Sequence, residues 1–356
     1  MRICAVIMAG GVGERFWPKS RQALPKQFLK IGNNDKTMIQ LTVERMLPVI
    51  DIENIFIVTN KKYKNLVAEQ ILNLPERNII CEPAGRNTAP CLALAASIIE
   101  KIYGNSIMVS LASDHLIADQ KKFYEILNTA VNKASSGSNL ITLGVAPQYA
   151  ETGYGYIKYS KSDYEDGCCK VEKFVEKPNL QKAEEYVAVG SYLWNSGMFV
   201  WQTSVILDKF KELMPEIYLG VKNISDAFGT DKYEDVLNEI FSAFPSESID
   251  YGIMEKTSPI YTIPSDFGWD DVGSWLSIDR IMDKDENGNV ISGNTVNVDS
   301  KNITIIGSKK LIAAAGLEDI VIVDTDDALL ICSKNKSQDI KKVLQELKNQ
   351  NKEQYL

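Results

Sequence analysis

Along the first 145 positions, short unbroken apolar runs alternate with stretches in which apolar residues recur every three or four positions. ICAVIMA (3–9), IENIFIVTN (52–60), NIICEP (78–83), SIMVSLASDH (106–115) and NLITLGV (139–145) are of the first kind and predict buried strands. Residues 61–74, 87–104 and 119–135 are of the second kind and predict helices; 87–104 begins on polar residues and ends at Gly104. Strands buried on both faces and alternating with helices predict a doubly wound α/β sheet, parallel in this stretch. Ligands of such sheets sit beyond the carboxyl ends of the strands. The glycine-rich segment after residue 9, Glu82 and Asp114 are therefore expected at one crevice.

The pattern then changes twice. GYGYIKY, CCKVEKFVEKP and SYLWNSGMFVW, within 151–202, read as strands and turns inserted around the same crevice, and 204–244 reads as helical. From about residue 287 to 334, short β runs are separated by Gly, Asn and Asp turns, which predicts a small all-β module. KNKSQDIKKVLQELKNQ (334–350) then reads as a polar surface helix. The expected division is a catalytic domain over 1–286 and a β module with its helix over 287–356.

Composition narrows the choice of function. The chain has 356 residues, 45% apolar and 24% charged, with a net charge of −8, so the overall balance offers nothing to a nucleic acid and any phosphate site must concentrate cations locally. Six cysteines show no metal-ligand spacing and are expected as reduced thiols in a cytoplasmic protein. No apolar run approaches the roughly 20 residues of a membrane span. His115 is the one histidine, which excludes chemistry built on several.

IMAGGVGERFWPKSRQALPKQF (7–28) carries the candidate chemistry. A Walker loop fails because no Gly-Lys-Ser/Thr follows, and a dinucleotide fingerprint fails because the third glycine falls on Phe16. A tight strand-to-helix turn with no ligand would also account for the glycines. Arg15 and Lys26, stiffened by Pro18 and Pro25, instead suit a polyphosphate held against free backbone N–H groups.

GGVGERFWPKSR…PKQF resembles the signature of the sugar-nucleotide pyrophosphorylases, in particular the mannose-1-phosphate guanylyltransferases. EPAGRNTAP (82–90), LASDH (111–115), GYGYI (153–157), FVEKP (174–178), WNSGMFVW (194–201), ESIDYGIMEK (247–256) and GWDDVGSW (268–275) follow in order. The resemblance covers about residues 3–280 and is looser in the tail; Phe16 and Lys19 depart from the usual leucine and apolar residue. The long bifunctional members carry a further isomerase domain, for which this chain is expected to be too short.

The resemblance implies a nucleotidyltransferase (GT-A-like) fold of Rossmann-like mixed sheet with a β-helix-like tail. It implies the reaction of GTP with mannose 1-phosphate to give GDP-mannose and pyrophosphate. Gly10, Gly11 and Gly13 would cradle the triphosphate; Arg15 and Lys26 would meet its β and γ phosphates, the alternative for Lys26 being a solvated lysine. Asp114 and Asp271 would hold Mg²⁺, a hard cation suited to two carboxylates. Asp114 could instead cap a helix, and Asp270 could exchange roles with Asp271. His115 is expected to orient or pack near Asp114. Glu82, Asn87 and Thr88 lie in the segment that would read guanine, the alternative being that they cap the helix starting near Thr88. Gly155, Glu176, Lys177 and Asn195 would take the sugar phosphate, with an exposed Glu176–Lys177 ion pair as the alternative.

Two other functions share these residues: guanylyl transfer to a different sugar 1-phosphate, and a catalytically silent nucleotide-sugar sensor. The presence of Arg15, Lys26, Asp114 and Asp271 together argues against the sensor. The thin core expected for the β module, with Ile303, Ile305, Ile306, Val321 and Ile322 needing cover, points to a homodimer joined through the tail. Packing on its own catalytic domain is the alternative.

Overall fold

The computed structural model describes residues 1–356. The chain divides into two compact units. One comprises 1–10, 42–113 and 117–269; the other comprises 11–41, 114–116 and 270–356. The glycine-rich segment thus shares a unit with the C-terminal module, although more than 240 residues separate them in sequence.

The first unit is built on a nine-stranded mixed sheet. Its strands are β1 (Ile3–Ala9), β2 (Ile55–Asn60), β3 (Ile79–Glu82), β4 (Ile107–Ala112), β6 (Leu140–Val145), β7 (Tyr156–Glu165), β8 (Cys168–Val175), β9 (Tyr192–Gln202) and β10 (Ile260–Ser265). Between these in the sequence, the two-residue strands β5 (Leu116–Ile117) and β11 (Trp269–Asp270) stand where the chain passes from one unit to the other. The spatial order is β3-β2-β1-β4-β9-β6-β10-β8-β7. β3, β2, β1 and β4 run parallel, so β1 and β3 deliver Gly10 and Glu82 to the same carboxyl edge.

The sheet is mixed, as the resemblance implies, because β9 pairs antiparallel with both β4 and β6. Its sequence, YLWNSGMFVWQ, is apolar on both faces, which predicts burial but not direction. The helices differ in detail from their predicted ranges. The stretch expected over 61–74 is a short 3₁₀ turn followed by Lys64–Gln70. The long helical stretch after 204 is three helices, Thr203–Leu213, Pro215–Ala227 and Tyr233–Ala243. The helix Thr88–Tyr103 is buried over Ala89–Ile99, because it lies between the sheet and the first two of those helices; a helix covered on all sides is apolar all round.

The second unit stacks short strands. β12 (Val290–Ser292), β14 (Thr304–Ile306) and β16 (Ile320–Asp324) pair parallel in succession, and β13 (Thr295–Val298) pairs parallel with β15 (Ile312–Ala315). This is the β-helix-like stack expected of the tail, closed by the antiparallel strand β17 (Leu329–Ser333). The isoleucines expected to need a partner are already covered. Ile303, Ile305 and Ile322 fill a small interior with Ala314. Ile306 and Val321 pack with Phe16, Trp17 and Trp275 of the same unit. The closing helix Ile340–Asn349 is not purely a surface element either: Ile340 and Leu344 enter that second core.

Candidate active site

In the second unit the segment after Gly10 is a tight loop leading to the 3₁₀ turn Glu14–Phe16. Gly13 has φ +71°, and a Cβ there would stand 2.3 Å from Cβ of Lys26. Glycine is thus required both for the left-handed backbone and for the close passage of the lysine stem. The loop is tied down by Ser20 Oγ donating to Gly13 O (2.7 Å), Gln27 Nε2 donating to Gly11 O (2.9 Å) and Lys26 N donating to Val12 O (3.2 Å).

Lys26 is buried, contrary to a solvated lysine. Its Nζ donates to Asp114 Oδ2 at 2.8 Å and to the carbonyl of Asp271 at 2.9 Å, and lies 5.3 Å from the centre of the Phe16 ring. One ammonium thereby brings together two residues 157 positions apart in the chain. Asp114 is held below its ordinary carboxyl pKa. Burial, the largest single influence, pushes it up, but the charges of Lys26 and His115 and the hydrogen bond from Lys26 outweigh it.

The neighbouring acids differ. Asp270 receives Arg280 at two points, 2.6 and 3.1 Å, and accepts from Val272 N at 2.7 Å. Asp271 accepts from Gly273 N at 3.0 Å and faces a cleft of about 400 Å³ with Gly13, Arg15, Lys26, Asp114 and His115.

In the first unit, Glu82 ends β3 and is buried. Burial lifts its pKa to about 7, partly offset by a hydrogen bond from the Cys91 thiol, and its Oε1 has no hydrogen-bond partner. A Cβ on Gly10 would stand 3.4 Å from Glu82 Oε2, so the carboxylate lies along the glycine backbone rather than capping a helix. Asn87 does cap: its side chain accepts from Thr88 N at 2.9 Å, while Thr88 Oγ1 accepts from Ile249 N at 2.9 Å.

The same unit gathers a second polar group. A Cβ on Gly155 would meet Glu176 Oε2 at 2.5 Å and Asn195 Cβ at 3.5 Å. Asn195 N donates to Gly155 O at 2.8 Å, and Asn195 Nδ2 donates to Asp250 Oδ1 at 2.7 Å. Lys177 pairs with Glu176, the lysine exposed and the carboxylate largely covered. Burial, and after it the charge of Glu176, raises Asp250 to about 6. Asp250 is not singled out by its local sequence pattern, although it lies in the ESIDYGIMEK segment. Its signal was an isolated acid between apolar residues. An aromatic wall that no sequence pattern marks stands beside Gly155: Tyr154 lies 5.3 Å from Trp194 and 5.1 Å from Trp269, and Tyr149 lies 4.8 Å from Trp194, centre to centre.

A glycine loop beside a lysine held by two aspartates, on a mixed α/β framework, defines a phosphate-handling α/β enzyme. The chain belongs to the nucleotidyl transferase family, whose model matches residues 4–288; a second model, of the MannoseP isomerase/GMP-like β-helix domain, matches 293–347. It is 41% identical to the mannose-1-phosphate guanylyltransferase of Klebsiella pneumoniae over 98% of this chain and 75% of that protein. It is equally similar to that of Escherichia coli K12, over 98% of this chain and 74% of that protein. Among solved structures, the crystal structure of a mannose-1-phosphate geranyltransferase from Thermus thermophilus superimposes with a TM-score of 0.88 at 29% identity, covering 98% of this chain and all of that one. A mannose-6-phosphate isomerase from Helicobacter pylori matches with a TM-score of 0.61 at 26% identity, covering 76% of this chain and all of that one. No helix is long and apolar enough to cross a membrane.

Proposed function

We propose that this nucleotidyltransferase transfers GMP from GTP to mannose 1-phosphate, giving GDP-mannose and pyrophosphate. The observation that carries the reading is the similarity, at about two residues in five and over nearly the whole chain, to proteins named for that activity. A phosphate oxygen of the sugar phosphate attacks the α-phosphorus of GTP while the bond to the pyrophosphate oxygen breaks. The attacking oxygen is already an anion, so no general base is required. Catalysis then rests on alignment and on neutralising charge as it moves to pyrophosphate. This agrees with a site rich in charge and poor in histidine.

In this reading Gly10, Gly11 and Gly13 present backbone N–H groups to the triphosphate, and Arg15 and Lys26 meet its outer phosphates. Asp114 and Asp271 line one cleft and offer the hard oxygen donors that Mg²⁺ prefers, whereas Asp270 is bound by Arg280 and does not line that cleft. Asp114 and Asp271 would hold the ion, which supplies charge neutralisation at the phosphate oxygens when bound. Glu82, with an unpaired buried oxygen, accepts from the N1–H and N2–H donors of guanine, beside Asn87 and Thr88. Glu176, Asn195 and Asp250 bind sugar hydroxyls at Gly155, and Lys177 takes the sugar phosphate.

We assign residues 1–286 to the catalytic domain, the β module within residues 287–356 to self-association as a homodimer, and the reaction to the cytoplasm. With the interior isoleucines already covered, the dimer contact would be the outer face of the β module. Val296 and Val298 are exposed on β13, and Leu329 and Ile331 on β17, which belong to two different sheets of the module.

Pyrophosphate release with GTP, ATP or UTP and a panel of sugar 1-phosphates tests the proposal. GTP with mannose 1-phosphate is expected to be the preferred pair. Preference for another base or another sugar would overturn it.

A further inference from the structure

Lys341, on the first turn of the C-terminal helix, lines the same cleft as Gly13, Arg15, Lys26, Asp114 and Asp271. It is not a passing surface lysine. Ile340 and Leu344, one helical turn apart, are buried against the core that contains Phe16, Trp17 and Trp275, which fixes the rotation of the helix. The Nζ of Lys341 lies 3.9 Å from Glu14 Oε2, in the 3₁₀ turn that follows the glycine loop. Both side chains are about half exposed, so the pair is weak and an incoming anion can displace it.

The charge balance gives Lys341 a purpose. Arg15, Lys26 and Lys341 face Glu14, Asp114 and Asp271 around the cleft. Lys26 is engaged by Asp114 at 2.8 Å, so its charge is partly neutralised within the site. Lys341 adds a further cation for a polyphosphate, and it comes from the C-terminal helix.

We infer that Lys341 binds the pyrophosphate end of the nucleotide, so that the C-terminal helix contributes a phosphate-binding residue to the active site. Glu14 holds the ammonium at the mouth of the cleft until the anion arrives. The inference rests on the proposed pyrophosphate-releasing reaction.

Calorimetric titration of the full chain with inorganic pyrophosphate tests it, alongside initial rates with GTP and mannose 1-phosphate. Lys341→Ala is expected to weaken pyrophosphate binding about tenfold, the scale of one charge-assisted hydrogen bond at a partly exposed site. It should raise KM for GTP by a similar factor and leave KM for mannose 1-phosphate unchanged. Lys341→Arg should restore most of the affinity. Lys342→Ala is the control, because Lys342 pairs with Asp339 and lies outside the cleft lining. Pyrophosphate affinity in Lys341→Ala equal to wild type, or an equal loss in Lys342→Ala, overturns the inference while the proposed reaction stands. A wild-type chain that releases no pyrophosphate from GTP and mannose 1-phosphate overturns the reaction itself.

Discussion

At the scale of single residues, the glycines of the loop separate into two kinds. Gly13 is held by its own backbone and by the Lys26 stem, so Gly13→Ala should lower the melting temperature and misplace Lys26. Gly11 has nothing within 4 Å of where a Cβ would sit. Gly11→Ala should therefore fold with an unchanged melting temperature yet bind GTP more weakly, because only a ligand needs that approach. Equal loss of thermal stability in both variants would contradict this.

Glu82 yields a pH prediction whose sign differs between stability and binding. Its folded pKa, about 7, lies above the ordinary carboxyl value, so the folded chain holds its proton more tightly than the unfolded chain. Its contribution to stability is full below about pH 4.5 and is lost as pH rises through about 7, by roughly 1–3 kcal/mol. Guanine donors need the ionised form, so GTP affinity should rise over that upper range. Glu82→Gln should make the protein more stable than wild type at pH 8, flatten the pH dependence of KM for GTP between pH 6 and 8, and weaken discrimination against ATP. Unfolding midpoints and KM measured at pH 6 and 8 check each part.

Lys26, Asp114 and Asp271 were legible in the sequence because each sits in a dense motif. Asp250 and Lys341 were not. The first is one acid among apolar residues, and the second is one of several lysines in a helix whose polar side reads as solvated. Their neighbours come from distant parts of the chain, which a linear pattern does not display.

At the scale of elements, the apolar runs of the first 145 residues marked all the strands of the parallel half, because buried parallel strands have no polar face to disguise them. The reversal at β9 left no trace, since an apolar strand looks the same in either direction. The closing helix reads as a polar surface element in the sequence because its buried residues, Ile340 and Leu344, are few among many charges. Its attachment to Phe16 and Trp275 rests on those side chains. Leu344→Ala should cost about 2–4 kcal/mol, the usual range for emptying a buried leucine site. It should also raise KM for GTP by loosening the helix that carries Lys341. Denaturant unfolding read by tryptophan fluorescence, paired with initial rates, would show both effects. A stability loss without any change in KM would mean that the helix is only a brace.

At the scale of the whole molecule, a net charge of −8 coexists with a cleft that gathers Arg15, Lys26 and Lys341. Bulk charge therefore does not report how charges gather locally in a cleft. The compact units cut across the linear order, since the glycine segment 11–41 lies with 270–356. The exposed Val298 and Ile331 give the dimer proposal a direct check: sedimentation should show a dimer for the wild type and a monomer for Val298→Lys with Ile331→Lys. A wild type that sediments as a monomer would remove the module from self-association.

In the proposed reaction the buried Lys26, bonded to the Asp114 carboxylate and the Asp271 carbonyl, stabilises charge moving onto the departing pyrophosphate. The most direct measurement is the initial rate of pyrophosphate release from GTP and mannose 1-phosphate by the wild type and by Lys26→Ala, at saturating substrates. Losing one donor aimed at developing charge should lower kcat on the order of 10²–10³-fold. A Lys26→Ala variant that folds and turns over within about threefold of wild type, far short of that expectation, would remove Lys26 from that role.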